Sequence, residues 1–208
     1  MVTKNLALNN FKRNISSVID LLSIHKIVVS QLPTLALQAE EILRATIVLS
    51  VSALDNFFHD FYRTEIVDSY LGIGNFNVQF DKIKISIKSL NDIDNALSNA
   101  EKQNFLSNEL RKIQKTESFQ SAKSIENIFL NLNVKNIWSK LEQIGIDGFK
   151  ANDIKRELAN IIDRRNKISH ESDWDFVNQM KYPIKIDDAQ YVLNYITKFV
   201  ESICKIEQ

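Results

Sequence analysis

The sequence predicts an all-α protein, a bundle of five or more helices. Three observations lead there. Glycine occurs 4 times and proline 2 times in 208 residues, too seldom for the tight turns of an all-β chain. Ile, Leu, Lys, Asn and Glu are abundant, which favours long helices. Apolar residues recur at spacings of three and four through most of the chain. With 44% hydrophobic residues the chain suits one sizeable core. The expected organisation is a single domain over 1–208, with a less regular helical insertion over about 75–135.

Leu8, Phe11, Ile15, Val18 and Leu22, then Val29, mark one face of a helix over 5–29. His25 falls on that face and reads as a core or interface histidine. Gln31-Leu32-Pro33-Thr34 breaks the helix. Over 36–71, Leu43, Ile47, Leu54, Phe58 and Phe61 form a stripe. Val48, Leu49, Val51 and Ala53 make the middle apolar nearly all round, as in a central buried helix. Glu40 and Glu41 near Arg44 read as surface pairs. Towards the end come Asp55, His59, Asp60 and Arg63, and Gly72 and Gly74 stop the helix. Asp55 and His59, four apart, share a face and can hydrogen-bond, either to support a site or as a structural contact.

The insertion is more polar. Residues 77–80 read as a short extended piece. Ile83, Ile87, Leu90, Ile93 and Leu97 keep helical spacing, and helices follow over about 101–116 and 119–132. A short helix over about 134–143 ends at the loop Gly145-Ile146-Asp147-Gly148. An amphipathic helix spans 151–169, with Asn152 or Asp153 as its cap. Residues 171–175 read as a loop in which Trp174 packs on the bundle or stacks on a base. The last helix, 187–206, turns Ala189, Val192, Leu193, Ile196, Phe199, Val200 and Ile203 inward.

The stretch Ile162-Asp163-Arg164-Arg165-Asn166-Lys167-Ile168-Ser169-His170 contains an anomaly. At roughly 100° per residue from Ile154, Leu158, Ile161 and Ile168 stay within about 40°. Arg165 falls at about 20°, inside the apolar stripe, where a cation is costly unless it is paired or faces a cleft. Arg164 falls nearer the edge, where a charge is ordinary. His170 falls at about 160°, so the two residues diverge on a continuous helix. A shared site then requires the helix to break after Ile168, or a second protomer to complete it. Asn166 and His170, at i and i+4, share a face. Lys150, Lys155, Arg156, Arg164 and Lys167, diluted by Asp153, Glu157 and Asp163, read as a solvated face.

The formal net charge is zero, so any RNA contact is local rather than a general cationic coat. One cysteine, Cys204, excludes an intramolecular disulfide and a cysteine-based metal site, and fits a reducing cytoplasm. The opening MVTKNLALNNFKRN lacks the apolar core of a signal peptide. The most apolar run, 45–54, is about half of a bilayer span. A soluble cytoplasmic protein with no membrane partner is expected. Neither G-x-x-x-x-G-K-[ST] nor H-E-x-x-H occurs, and a Ser/His/Asp hydrolase would need a strand–turn–helix context.

With Arg165-Asn166-Lys167-Ile168-Ser169-His170 and the run RATIVLSVSALDNFFHD over 44–60, the chain resembles the HEPN superfamily, in its RiboL-PSP branch. The ribonucleases of that superfamily carry R-x(4–6)-H, often with a polar residue after the Arg. The resemblance covers about 36–71 and 151–206. It implies a HEPN-type endoribonuclease that needs no metal or cofactor and acts as a homodimer, with the two motifs facing across the interface. Arg165 and His170 take the catalytic roles, and Asn166 positions the pair or the phosphate. Asp55, His59 and Trp174 are possible supporting residues. The chemistry is sound. RNA carries its own nucleophile in the 2′-hydroxyl. Imidazole can take that proton or return one to the leaving 5′-oxygen. A forked guanidinium suits the charge developing on phosphorus. The expected products are a 2′,3′-cyclic phosphate and a 5′-hydroxyl. Such an enzyme is expected to be a toxin or antiviral effector, held by a cognate antitoxin or sensor protein. The alternative is a non-catalytic HEPN-like module for dimerisation or for binding a partner or nucleotide.

Overall fold

Eight α-helices and one short two-stranded ladder make up the fold in a computed structural model describing residues 2–207. Helices account for 74% of it, as the breaker-poor sequence predicts. Helix α1 (Val2–Gln31) folds back onto α2 (Ala36–Tyr70) through a 3₁₀ turn whose first residue, Pro33, has its φ pre-set. Ala7, Phe11, Ile15, Val18 and Leu22 of α1 are buried, facing Leu43, Ile47, Val51, Leu54, Phe57, Phe58 and Phe61 of α2. Phe11 meets Phe57 edge-on, with ring centroids 5.9 Å apart, the geometry that ring quadrupoles prefer. Leu49 points outward at 45% exposure, so the middle of α2 keeps one wet face.

Residues 75–135 contain α3 (Ile87–Asp94), α4 (Asn99–Gln114) and α5 (Ala122–Asn131). Each begins at a serine, Ser86, Ser98 or Ser121, whose hydroxyl accepts from the backbone N–H three residues on, at 3.1, 3.2 and 3.0 Å. The helical spacing of Ile87 and Leu97 does not mark a buried face, since they are 80% and 93% exposed while Ile93 is buried. Residues 77–80 form no strand. Their chain enters a 3₁₀ turn at Phe80, and Gln79 N–H reaches the Asn131 carbonyl at 2.8 Å. Helix α4 packs on α2 and α3.

Helix α6 (Ile137–Ile144) ends at Gly145, whose φ of 89° few other residues adopt. Helix α7 (Ala151–Glu171) follows. Neither Asn152 nor Asp153 caps it. The Ala151 N–H donates to Glu142 from α6 at 2.9 Å, and Asp153 pairs with Arg156 at 2.7 Å. Residues 171–175 are not a plain loop. Strand β1 (Trp174–Asp175) pairs antiparallel with β2 (Met180–Lys181), making a small hairpin before α8 (Ile186–Cys204). Helix α8 packs on α2, α1 and α6 with Leu193, Ile196, Phe199, Val200 and Ile203 buried, and Tyr195 Oη donates to the Ile154 carbonyl of α7 at 2.9 Å. Among the described residues, no helix is long and apolar enough to cross a membrane.

Candidate functional site at the end of α7

Helix α7 does not break after Ile168. It runs through His170 to Glu171, so Arg165 and His170 diverge by about 140° within one chain. Arg165 is also not at the centre of a core face. Ile154, Leu158 and Ile161 are buried, but each residue from Arg164 to Ile168 is only half-buried, and His170 is exposed. The apolar stripe simply outlasts the core. Arg165 continues it past the edge, where it is half-buried and its cost smaller. Its Nη2 donates to the Oε1 of Gln120, a neutral amide, and among the described residues no carboxylate holds it. His170 makes no hydrogen bond or ion pair among them either. It lies in the last turn of the helix. Asn166, half-buried, sits one turn before it on the same face.

Arg164 is the arginine that the fold consumes, contrary to its reading as an ordinary edge charge. Its Nη1 and Nη2 both reach the carboxylate of Asp173, the second at 2.9 Å. Arg44 of α2 donates from Nε to the same carboxylate at 2.8 Å and from Nη2 to the Tyr182 carbonyl at 2.8 Å. Asp173 is 0% exposed and Arg44 3% exposed, so Arg44 with Glu40 and Glu41, both 3.2 Å away, is no surface cluster. A carboxylate this deep is tolerable because two guanidiniums answer it. Ser172 and Asp173 hold φ of 54° and 59°, uncommon for residues with a Cβ. The Asp173 N–H closes α7 on the Lys167 carbonyl at 2.9 Å, and Tyr182 N–H returns to the Asp173 carbonyl at 2.8 Å. The hairpin beside His170 is therefore clamped at its base. Its far end is apolar and open: Phe176 is 72% and Val177 89% exposed, and Trp174 stands at the surface.

Asp55 and His59 lie on α2 with 3.8 Å between Oδ2 and Nε2. Asp55 Oδ1 accepts from the Phe119 N–H at 2.5 Å and from Ser118 Oγ at 3.3 Å. The His59 ring lies 4.5 Å from that of Phe119. Together they fix the segment 118–120, and its next residue, Gln120, is the partner of Arg165. The pair thus stands behind Arg165 rather than beside it. Trp174 and His59 make no contact that would join them in one site. Lys167 is held by Asp163, whose hydrogen bond and charge raise its pKa, and its ammonium lies 5.9 Å from the Tyr182 ring. Asp175 is held below the usual carboxylate range by hydrogen bonds from Asn178.

Among the described residues, no group of three His, Cys, Asp or Glu side chains is arranged to hold a metal ion. The end of α7 offers one forked cation, one imidazole and one amide, all accessible. One copy presents Arg165 and His170 on diverging faces.

Sequence reading missed the Arg44–Asp173–Arg164 cluster, although half of its signal was present. Arg44 stands at i of the series Ile47, Val51, Leu54, Phe58, spaced i+3, i+7, i+10 and i+14. It is as anomalous in phase as Arg165, and it is the one that is buried. Asp173 follows its helix in a polar stretch and carries no such signal.

No curated protein and no solved structure matches the chain. The RiboL-PSP-HEPN family model does, over residues 9–206. That span takes in most of α1, all of α2, residues 75–135 and the Arg165–His170 motif, and on it the chain belongs to the RiboL-PSP-HEPN family.

Proposed function

We propose that this protein is a metal-independent endoribonuclease of HEPN type, acting as a homodimer with a composite site. The observation that carries the reading is the division of labour between two neighbouring arginines. Arg164 is locked to a buried aspartate, whereas Arg165 is left with a neutral amide, and His170 is open to solvent. A structural arginine would be expected to hold a carboxylate, while a phosphate-binding one must keep its charge available. Because α7 is continuous, His170 of one copy works with Arg165 of the other. Imidazole takes the 2′-hydroxyl proton, the 2′-oxygen bonds to phosphorus, and the P–O5′ bond breaks, with a proton going to the 5′-oxygen. Arg165 offsets the charge on the non-bridging oxygens, and Asn166 orients the phosphate. A role as toxin or antiviral effector, restrained by a cognate antitoxin or sensor, follows from such an activity in a cytoplasmic protein.

The test is RNA cleavage in EDTA, with product ends analysed for 2′,3′-cyclic phosphate. Wild type should cut, and Arg165→Ala and His170→Ala should each lose roughly 10²-fold or more. Variants that cut as well as wild type would dismiss these residues. The divergence of Arg165 and His170 within one chain favours the second reading, a non-catalytic dimerisation or ligand-binding module, which predicts no cleavage by wild type.

A further inference from the structure

We propose that the cleft between α2, α3 and α4 is a phosphate subsite for the RNA strand flanking the scissile bond; this rests on the ribonuclease reading. The cleft encloses about 920 Å³ and runs into a second hollow of about 550 Å³ that shares Asp60, Arg63 and Arg111. Its charges do not cancel evenly. Asp60 is taken by Arg63, and Glu109 by Lys112 at 3.2 Å. Asp92 stands against two further cations, Arg111 in the last turn of α4 and Lys115 at its C-cap. Among the described residues neither has an ion pair or a side-chain hydrogen bond, and both are exposed. Unpaired cations in a concave wall attract a polyanion more than a flat surface does.

One amide donor in the wall behind them is unanswered. Arg63 is 8% exposed and spends donors on Asp60 and on Gln114 Oε1 at 3.3 Å. Gln114 is 3% exposed, and its Nε2 is buried without an acceptor. An unanswered amide donor beside a forked guanidinium and two free cations matches phosphoryl oxygens better than a neutral or cationic ligand. Phe105, 44% exposed, lines the same cleft with an apolar face for a base. Continuity with the motif is direct. His59 lines the cleft and rests on Phe119, and Gln120 next to it receives Arg165. The insertion helices would then hold the strand while α7 cuts it.

The test uses an RNA octamer with 2′-O-methyl groups, which binds but cannot be cut. Arg111→Ala/Lys115→Ala should raise its Kd at least tenfold at low salt. It should also flatten the log Kd against log salt slope by about 1.4, at about 0.7 per single-strand phosphate contact. On cleavable RNA the same variant should lose kcat/KM for the octamer and keep it for a dinucleoside monophosphate. An unchanged affinity and slope, an equal loss on both substrates, or a wild type that does not bind the octamer overturns the subsite. Octamer binding does not depend on cleavage. An active His170→Ala with a weakened Arg111→Ala/Lys115→Ala would therefore sink the catalytic assignment and spare the cleft.

Discussion

Replacing Arg164 with alanine leaves the fully buried Asp173 facing Arg44 alone; replacing Asp173 leaves two guanidiniums facing each other. Removing one partner of a buried ion pair costs about 3–5 kcal/mol. Asp173→Ala should fall in that range. Arg164→Ala should fall at or below its lower end, because that side chain is 25% exposed. Arg165→Ala gives up one hydrogen bond from a half-buried group to a neutral amide and should stay within about 1 kcal/mol. Urea midpoints measured on all three check this. The expected pattern is a stable, inactive Arg165→Ala beside an unstable Arg164→Ala. If the two were equally destabilised, Arg165 would be a fold residue too. Neighbours with one charge thus separate by what their helical phase brings to them. The clamp also explains why an aspartate tolerates a φ of 59°: its carboxylate and both backbone groups are held from three sides.

Helix phase identified the faces of α1, α2, α7 and α8, because their apolar stripes meet partners along most of their length. It could not say where a core ends. On α7 the stripe continues through Arg165 and Ile168, yet full burial stops at Ile161. Where it stops depends on how far α2, α6 and the hairpin extend over α7, and no residue of α7 encodes that. The same limit hid the packing of residues 75–135. Ile87 lies about 120° round α3 from the buried Ile93, and Leu97 falls past the helix end, so both are exposed. Asp55 is legible only as half of an i, i+4 pair, whereas its larger role is to hold residues 118 and 119, more than sixty positions away. Asp55→Ala leaves the buried Phe119 N–H without its acceptor, a loss of about 1–3 kcal/mol. Amide exchange over 118–121 should accelerate and kcat should fall severalfold as Gln120 releases Arg165. Asp55→Asn keeps an oxygen acceptor and should restore both. Failure of the asparagine to rescue would point to a charge role for Asp55.

At the scale of the molecule, acid and assembly each give a test. His25 is buried on α1 with Nδ1 lacking a partner. Burial pushes its pKa below 6.5, and Glu40 partly offsets that. The unfolded chain therefore binds this proton more readily than the folded one, and stability falls as pH drops below about 6.5. His25→Leu should flatten that part of a plot of thermal midpoint against pH and leave the region above it unchanged. Assembly bears on the proposed reaction. A two-fold dimer that pairs Arg165 of one copy with His170 of the other contains two equivalent sites. Mix Arg165→Ala with His170→Ala, unfold and refold them together, and about half of the dimers are mixed. Each mixed dimer has one site that lost both residues and one that kept both. Two inactive proteins should then recover about a quarter of wild-type activity. Sites needing both residues from both copies would recover none. A site built within one copy would recover none as well, but it would require Arg165 and His170 to converge, and the unbroken α7 keeps them on faces about 140° apart. Recovery near one quarter therefore selects the crossed pairing. With none, the size of the wild-type protein in solution decides: a dimer points to the four-residue site, and a monomer removes the composite site altogether.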